Sequence, residues 1–369
     1  MLPLAGLLVV MLLRPAEAFA AAGSGFALWY RVVLPSLLPF FIISELLLQL
    51  GAAQAAGRLL APLMRPLFYL PGSASFAVAL GFSAGFPTGA AVTAGLYRSG
   101  EVDREQAGRL LAFTNNAGPL YITVAVAAGL FAQPAAAPLL AGVHYGLNLL
   151  LGILLGLFAR RQNRNQAASR SDAAKMAAGF TAQRRGDDPQ QAALPFANML
   201  KAAAQRAAAN IALIGCYMVF FSVLSAMLAP ATLSEERPLL FAALNGLWEM
   251  SNGMQALAVC GLPLTAALPL AAAQLAFGGF SVQAQVLAMI ADTEISPRWY
   301  LLSRPLHALA SALLLAWLLP HTPAAAPVAA GTVMAISLPP AVLLAPAAFA
   351  SLLWLAACAV AYLLWRGRG

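Results

Sequence analysis

Apolar segments long enough to cross a membrane recur along this chain, and the most informative of them is broken. In residues 80–120 one proline and three glycines interrupt a hydrophobic helix: Gly81, Gly85, Pro87 and Gly89. After a short charged turn, a second apolar helix is predicted with three polar residues inside it, Thr114, Asn115 and Asn116. Backbone that leaves helical geometry at membrane depth must bond to other protein groups or line a water-filled cavity. Such interrupted segments are typical of the binding sites of transporters.

The composition places the whole chain in a membrane. Of its 369 residues, 61% are hydrophobic and only 9% are charged, and the mean hydropathy is +0.79. A soluble domain carries about 25% charged residues. We therefore expect an all-α, multi-pass protein of the cell membrane, with about eight spanning helices and two broken or re-entrant hairpins in two weakly repeated halves.

The distribution of charge argues against nucleic acid as a partner. The net charge is +8, but nine of the 21 Lys and Arg fall in residues 160–206, beside an apolar segment. This clustering is typical of a cytoplasmic loop. The three cysteines have no metal-ligand spacing, and no catalytic motif is present. We expect no metal, no cofactor, no catalytic residue and no enzymatic activity.

Polar and proline-rich stretches divide the chain into five parts. We expect an N-terminal helix (1–25), a first half (26–161), a polar cytoplasmic linker (162–195), a second half (196–320), and a linker with a C-terminal helix (321–369). Residues 4–13 resemble the apolar part of a signal peptide. The absence of a positive charge before them favours a retained helix.

The two halves share an order of features. The pair Phe40-Phe41 recurs as Phe220-Phe221, and Gly85-Phe86-Pro87 resembles Gly279-Phe280-Ser281. Each half would then run through a span, a broken segment, a hairpin, an acidic turn and a span. The positions of the basic residues favour parallel repeats, while inverted repeats stay open.

Two hairpin tips are the predicted substrate contacts. The first comprises Gly85, Phe86, Pro87, Thr88 and Gly89, and the second comprises Gly279, Phe280, Ser281, Gln283 and Gln285. A half-helix that begins at such a tip presents free N–H groups and a positive dipole to an anion. The alternative is a kink that only lets helices approach closely.

Polar residues inside apolar segments complete the predicted site. They are Thr114, Asn115, Asn116, Glu249, Ser251 and Asn252. Neighbouring helical residues point about 100° apart, so one asparagine would face the cavity. A carboxylate at membrane depth suggests an ion or proton partner, unless Glu249 lies at the interface or pairs with Arg65. His307 could carry a proton, but a lone histidine is more often a packing residue. Arg109 and Arg304 are expected to be interfacial anchors, with a role as substrate clamps as the alternative.

These residues resemble those of a known family. Residues 34–47, 64–68, 85–90, 113–115 and 277–286 are similar to the sporulation integral membrane protein YlbJ family, within the nucleoside-recognition or Gate superfamily. The chain departs from the expected pattern at 116–119, where a small hydroxyl residue would be typical. The resemblance implies transport of dipicolinate, a small aromatic dianion, across the outer forespore membrane during spore cortex formation.

Three functions follow from these observations. The first is a carrier or facilitator for a small organic anion, embedded in the lipid bilayer. The second is a nucleoside-type carrier of neutral solutes from the same superfamily. The third is a membrane scaffold that assembles with copies of itself or with other sporulation membrane proteins. The broken segments favour the two carriers, because a scaffold has little need of them.

Overall fold

The computed structural model describes residues 2–170, 196–229 and 232–322. Most of the predicted linker and the C-terminal helix lie outside these ranges. Across them the chain is helical and contains no strand, so the all-α prediction is confirmed.

Residues 2–170, before most of the linker, contain eight α-helices and two π-helical segments. α1 is Leu2–Leu13, and α2 (Pro15–Leu28) continues through a π-helical turn, Trp29–Val33, into α3 (Leu34–Gln49). There follow α4 (Ala52–Phe68), α5 (Ser75–Ala84), α6 (Thr88–Arg98), α7 (Arg104–Thr114), the π-helix Tyr121–Leu130 and α8 (Ala137–Arg170). Short 3₁₀ turns lie at Gly72–Ala74 and Pro134–Ala136.

The second half contains seven α-helices. They are α9 (Phe196–Leu228), α10 (Thr232–Glu236), α11 (Pro238–Trp248), α12 (Met250–Val259), α13 (Leu264–Phe277), α14 (Gly279–Met289) and α15 (Arg298–Leu318), which ends in a 3₁₀ turn at Leu319–His321.

The described ranges do not by themselves confirm the expected count of about eight spanning helices, and the predicted C-terminal helix lies outside them. Within the described ranges, four helical stretches are long and apolar enough, or up to six if two sharply bent helix pairs each count as one span. These helices confirm the prediction of a multi-pass membrane protein. Two of the predicted spans are not continuous helices: residues 239–259 form a hairpin, and residues 106–132 lose helical geometry after Thr114.

α5 and α6 form a hairpin around the end of α7. A Cβ built on Gly81 or on Gly89 would overlap the same atom, the carbonyl oxygen of Thr114. Both helices therefore lie against one point, although eight residues of a straight helix would separate the two glycines by about 12 Å. The glycines are required because any side chain would push the hairpin away from α7.

The second hairpin is formed by α11 and α12, with Glu249 at its tip. A Cβ on Gly253 would overlap the Cα of Gly246, so the two helices cross in direct backbone contact. The predicted hairpin at Gly279 is wrong. Leu264–Met289 is one membrane span with a break at Gly278 and Gly279, whose φ angles are 79° and 72°. The glycines interrupt the helix, and α14 then continues across the membrane.

Two ion pairs mark one end of the molecule. Arg98 at the end of α6 contacts Asp292 after α14 at 3.0 Å, and Arg298 contacts Glu105 at 3.1 Å. Phe158, near the basic end of α8, packs on Trp299 at the same end. Because basic residues cluster there, the positive-inside rule predicts that this end faces the cytoplasm, and we call it the cytoplasmic end.

The two halves are inverted relative to each other. The first hairpin enters from the cytoplasmic end, since Ser73 before α5 bonds Glu101 after α6, and α7 with the π-helix then runs outward. The second hairpin enters from the opposite end. The start of α12 at Met250 lies beside Gly279, just after the end of α13, so the two helices are antiparallel, and α13–α14 runs inward to Asp292. α8 runs inward and α15 runs outward. The preference for parallel repeats is therefore wrong.

This arrangement gives a different sequence correspondence. The two hairpins match each other, and Gly253 takes the place of Gly89. The two interrupted helices also match, with Phe277 in the place of Phe113 at the same spacing along the chain. In the spans after them, His307 corresponds to His144 at a spacing shorter by a single position. The sequence match between Gly85-Phe86-Pro87 and Gly279-Phe280-Ser281 therefore pairs a hairpin tip with a helix break. Short Gly-Phe sequences in apolar helices can match in this way by chance.

The topology can be tested by labelling single cysteines in a background without the three native cysteines. Ser99→Cys and Glu294→Cys, both at exposed cytoplasmic turns, should react with an impermeant maleimide from the cytoplasmic side only. Thr265→Cys, at the start of α13, should react only from the other side. Labelling of all three positions from one side would contradict the inverted arrangement.

The close crossing of the second hairpin makes a stability prediction. Gly253→Val should lower the free energy of unfolding by about 1–3 kcal/mol, because the added side chain overlaps backbone atoms. Gly142→Ala is the matched control, since nothing lies within 4 Å of its Cβ position, and it should gain up to about 1 kcal/mol of helix propensity. Thermal unfolding in detergent measures both variants, and equal stabilities would refute the crossing.

Candidate functional site

Four interruptions of helical backbone meet at the centre of the molecule. They are the first hairpin tip (85–87), the first helix break (115–118), the second hairpin tip (Glu249) and the second helix break (278–279). A Cβ on Gly85 would lie 2.7 Å from the nitrogen of Gly118. Phe86 lies 3.5 Å from the Cβ position of Gly278. We call this region the break cluster. Of the residues that the sequence predicted for the site, some lie in the interruptions (85–87, 115–116, 249 and 279) and the others lie on the helices that flank them (88–89, 114, 251–252, 280–281, 283 and 285).

Within the break cluster, the second break touches the second hairpin tip. The Cβ position of Gly279 is 3.1 Å from the nitrogen of Met250 and 3.4 Å from the carbonyl oxygen of Trp248. The ring of Phe280 packs on Trp248 with centroids 5.3 Å apart. A chain of contacts thus joins both hairpins and both breaks.

Asn115 joins the first break to the first hairpin. Its Oδ1 accepts a hydrogen bond from the backbone N–H of Ala90 at 2.9 Å, and its Nδ2 donates to Leu111 at 2.8 Å. The side chain is fully buried. Because Ala90 belongs to the first turn of α6, Asn115 occupies an N–H group that we expected to be free for a ligand.

The first break is held by α8. The Nδ2 of Asn148 donates to Asn116 Oδ1, and the backbone N–H of Ala117 donates to His144 Nε2 at 3.2 Å. The hydroxyl of Tyr145 donates to the carbonyl oxygen of Ala117 at 2.8 Å. Non-helical residues at membrane depth thereby satisfy their polar groups within the protein, as an apolar surrounding demands.

Arg304 of α15 closes the end of α7. Its guanidinium donates to the carbonyl oxygens of Ala112 at 2.6 Å and Asn115 at 3.1 Å, and to Asn148 Oδ1 at 3.2 Å. Carbonyls at a helix C-terminus attract a cation. The side chain is fully buried, so its predicted role as an interfacial anchor is wrong. Arg109 bonds the carbonyl oxygen of Tyr69 near the cytoplasmic end.

No carboxylate neutralises Arg304 in the part of the chain that the structure describes. The ion pairs found there join Arg14 with Glu17, Arg98 with Asp292, Arg206 with Glu45, and Arg298 with Glu105. Buried cations are ordinarily paired with an anion. The break cluster therefore holds a buried positive charge whose contacts in the described chain are neutral oxygens and the ring of Tyr300, whose centroid lies 5.1 Å from the guanidinium carbon.

Glu249 begins α12 and caps it. Its Oε2 accepts a hydrogen bond from the N–H of Asn252 at 2.8 Å, and only 4% of the residue is exposed. A carboxylate is stabilised at this position by the helix dipole. Ser251 and Asn252 are half-buried beside it. The anion-binding end of the second hairpin is thus occupied by the chain's own carboxylate, and the expected contact with Arg65 is absent because Arg65 is exposed.

Several buried polar atoms of the central helices have no hydrogen-bond partner among the described residues. On the first hairpin and on α14 they are Thr88 Oγ1 and Gln283 Nε2. Gln285 donates to Ser281 at 3.2 Å. α14 begins in the break cluster without a side-chain cap. An unpaired buried polar group costs about 1–3 kcal/mol, so these groups are suited to contact a solute or water.

A polar cavity opens at the cytoplasmic side of the break cluster. It has a volume of about 410 Å³ and lies between α3, α6, α9 and α14. Its walls include both members of two ion pairs, Arg206 with Glu45 and Arg98 with Asp292. Ala91 and Ala288 line it, one helical turn from Thr88 and Gln285 respectively.

Sequence reasoning missed the residues that support the first break. Among them, His144, Asn148 and Arg304 lie on α8 and α15, not on the interrupted segments. A usable signal was present, because Arg304 and His307 stand one turn apart in an apolar span, and so do His144 and Asn148. The asparagines were expected on a helix, but Asn115 is extended, with φ −94° and ψ 104°.

The fold and the break cluster define a multi-pass α-helical membrane protein built from two inverted halves with central backbone interruptions. Residues 30–178 match the family described as nucleoside recognition, Gate. The chain is 30% identical over 318 residues to the sporulation integral membrane protein YlbJ of Bacillus subtilis (strain 168), in an alignment that covers 81% of this chain and 77% of that protein. The chain belongs to this family. No solved structure matches it.

Asn148 makes a stability prediction for the site. Asn148→Ala removes the partner of Asn116 and one acceptor of Arg304, so it should lower the free energy of unfolding by at least about 2 kcal/mol. Asn210→Ala, a half-buried asparagine on α9, is the control and should change it little. Thermal unfolding in detergent decides this, and matching melting curves would show that Asn148 does not support the break.

Proposed function

We propose that this protein is a carrier for a small organic anion, and that dipicolinate is its substrate during sporulation. The observation that carries the proposal is the buried guanidinium of Arg304, which lies in the break cluster without an ion-pair partner in the described chain. The relative's name links that protein to sporulation, and the resemblance of the sequence motifs suggests dipicolinate.

The electrostatics favour an anion over a neutral solute. An anion in the break cluster would meet the field of Arg304, which water at membrane depth does not screen. Thr88 Oγ1 and Gln283 Nε2 supply neutral donors, and the uncapped start of α14 supplies a positive dipole end. A small dianion with two carboxylates can use two such groups at once.

The inverted halves provide a route for alternating access. Carriers built in this way bind near the membrane midplane, at the interface of their repeats, and move one part against the other. The cytoplasmic cavity is a route of entry, because its walls on α6 and α14 continue by one turn to Thr88 and Gln285. The ion pairs Arg98–Asp292 and Arg206–Glu45 line this route.

One observation favours the second candidate, a nucleoside-type carrier. Glu249 is a buried carboxylate at the second hairpin tip. A carboxylate can accept hydrogen bonds from the hydroxyls of a neutral solute or hold a coupling cation, and it repels an anion. The two candidates therefore differ in which half of the break cluster contacts the solute.

Uptake into liposomes tests the proposal. Purified full-length protein should take up radiolabelled dipicolinate in a saturable way, and nucleosides should not compete. Thr88→Val preserves the shape of the side chain and removes only an unpaired hydroxyl, so folding should be unaffected. Its affinity for dipicolinate should fall about tenfold, as for a lost hydrogen bond to a charged group. Thr265→Val, at the exposed start of α13, should behave as wild type.

The other outcomes separate the alternatives. Uptake of nucleosides but not of dipicolinate would replace the anion carrier with the neutral-solute carrier. An unchanged affinity in Thr88→Val would remove this hydroxyl from the site. Folded protein that binds and transports neither solute would favour a scaffold, and would leave the break cluster without a transport role.

A further inference from the structure

Two buried histidines face each other across the interface of the inverted halves. His144 lies on α8 and His307 lies on α15, and their ring centroids are 5.0 Å apart. The residues are 2% and 5% exposed. They occupy corresponding positions of the two repeats. The pair therefore touches both parts that must move relative to each other in a carrier of this kind.

The hydrogen bonds fix the tautomer of each ring. His144 Nε2 accepts from the N–H of Ala117, so its proton is on Nδ1. His307 Nε2 contacts the carbonyl oxygen of His144 at 3.1 Å, and because a carbonyl only accepts, this nitrogen carries the proton. The Nδ1 of His307 therefore carries a lone pair and no proton. It has no partner in the described chain, and neither has the Nδ1–H of His144.

His307 can thus gain a proton without breaking a hydrogen bond. A new N–H bond at Nδ1 leaves the donation from Nε2 to His144 intact. His144 differs, because a proton on its Nε2 would displace the N–H of Ala117 and open the first break. Of the two rings, His307 is the one that is arranged to accept a proton.

The charged groups around His307 make its protonation depend on a bound anion. On α15, the charged group nearest in sequence to His307 is Arg304, one turn before it. On α8, the titratable neighbour of His144 is Tyr145, the next residue. Glu249, on the second hairpin, forms no ion pair with either histidine or with Arg304 within the described ranges. A proton on His307 would place a second positive charge beside Arg304, which costs energy in a buried site. A bound anion would offset both charges.

We propose that the His144–His307 pair is a proton-binding site that couples proton movement to anion transport. His307 Nδ1 takes a proton from water on the side to which the site is open, forming one N–H bond, and returns it to water on the other side. The anion and the proton favour each other's binding, and this coupling is reciprocal. The inference rests on the proposed anion carrier for its cargo, while the proton site rests on the two rings.

The first test measures protons and solute together. Full-length protein is placed in liposomes that contain a pH-sensitive dye, with the membrane potential clamped to zero. Dipicolinate added outside should acidify the lumen, and an inward proton gradient should accumulate the solute about tenfold per pH unit if one proton moves with each anion. His307→Gln keeps a donor for His144 but cannot take a proton. It should still exchange labelled for unlabelled solute and should lose both responses.

His321→Gln is the matched control, because His321 is exposed at the far end of α15. It should retain acidification and gradient-driven accumulation. Wild-type uptake that moves no protons and ignores the gradient would overturn the coupling and leave the anion carrier standing. Unchanged responses in His307→Gln would also overturn it.

A second measurement does not depend on transport. The chain has three histidines, so selective isotope labelling gives three ring signals that single His→Gln variants assign. We expect opposite neutral tautomers for His144 and His307, and protonation of His307 at Nδ1 on acidification to about pH 5 in the presence of dipicolinate or chloride. If transport fails while these signals behave as expected, the proposed cargo is wrong and the proton site stands. Identical tautomers, or a His307 that stays neutral under all these conditions, would refute the site.

Discussion

The structure depends on satisfying buried backbone where helices stop inside the membrane. Lipid offers no hydrogen bonds, so each interrupted turn needs partners from the protein. The side chain of Asn115 accepts a hydrogen bond from the first turn of α6, and those of His144 and Tyr145 bond the backbone of Ala117. The guanidinium of Arg304 donates to carbonyl oxygens at the end of α7. These partners come from both halves, and the first break is therefore a contact between the repeats as well as an irregularity of one helix.

The two halves satisfy this constraint with different chemistry. At the first hairpin a neutral amide caps the helix, and at the second hairpin the carboxylate of Glu249 does so. The first break adjoins a buried cation, whereas glycines alone interrupt the second span. An inverted repeat therefore produces a site with a positive and a negative side. This asymmetry allows an anion and a proton to be handled in one place, and it is why we assign the anion to the side of Arg304.

Much of the fold could be predicted from local sequence. High hydropathy and few charges specified a membrane protein, and Gly85, Pro87 and Gly89 marked a real hairpin tip. The second hairpin was missed because its turn, at Glu249, contains no glycine or proline, and the mostly apolar residues 239–259 are long enough for one unbroken span. Gly278 and Gly279 suggested a hairpin, but glycine permits a left-handed residue without specifying which way the chain then turns.

The sequence by itself determined that the chain crosses a membrane, that its helices break at the centre, and which family it resembles, because hydropathy and backbone preference are local properties. Only the tertiary structure decided that the halves are inverted, that Arg304 is buried, and that His144 and His307 meet. The direction of a repeat and the partner of a polar group depend on contacts between residues that lie far apart in the chain, and no local pattern encodes such contacts.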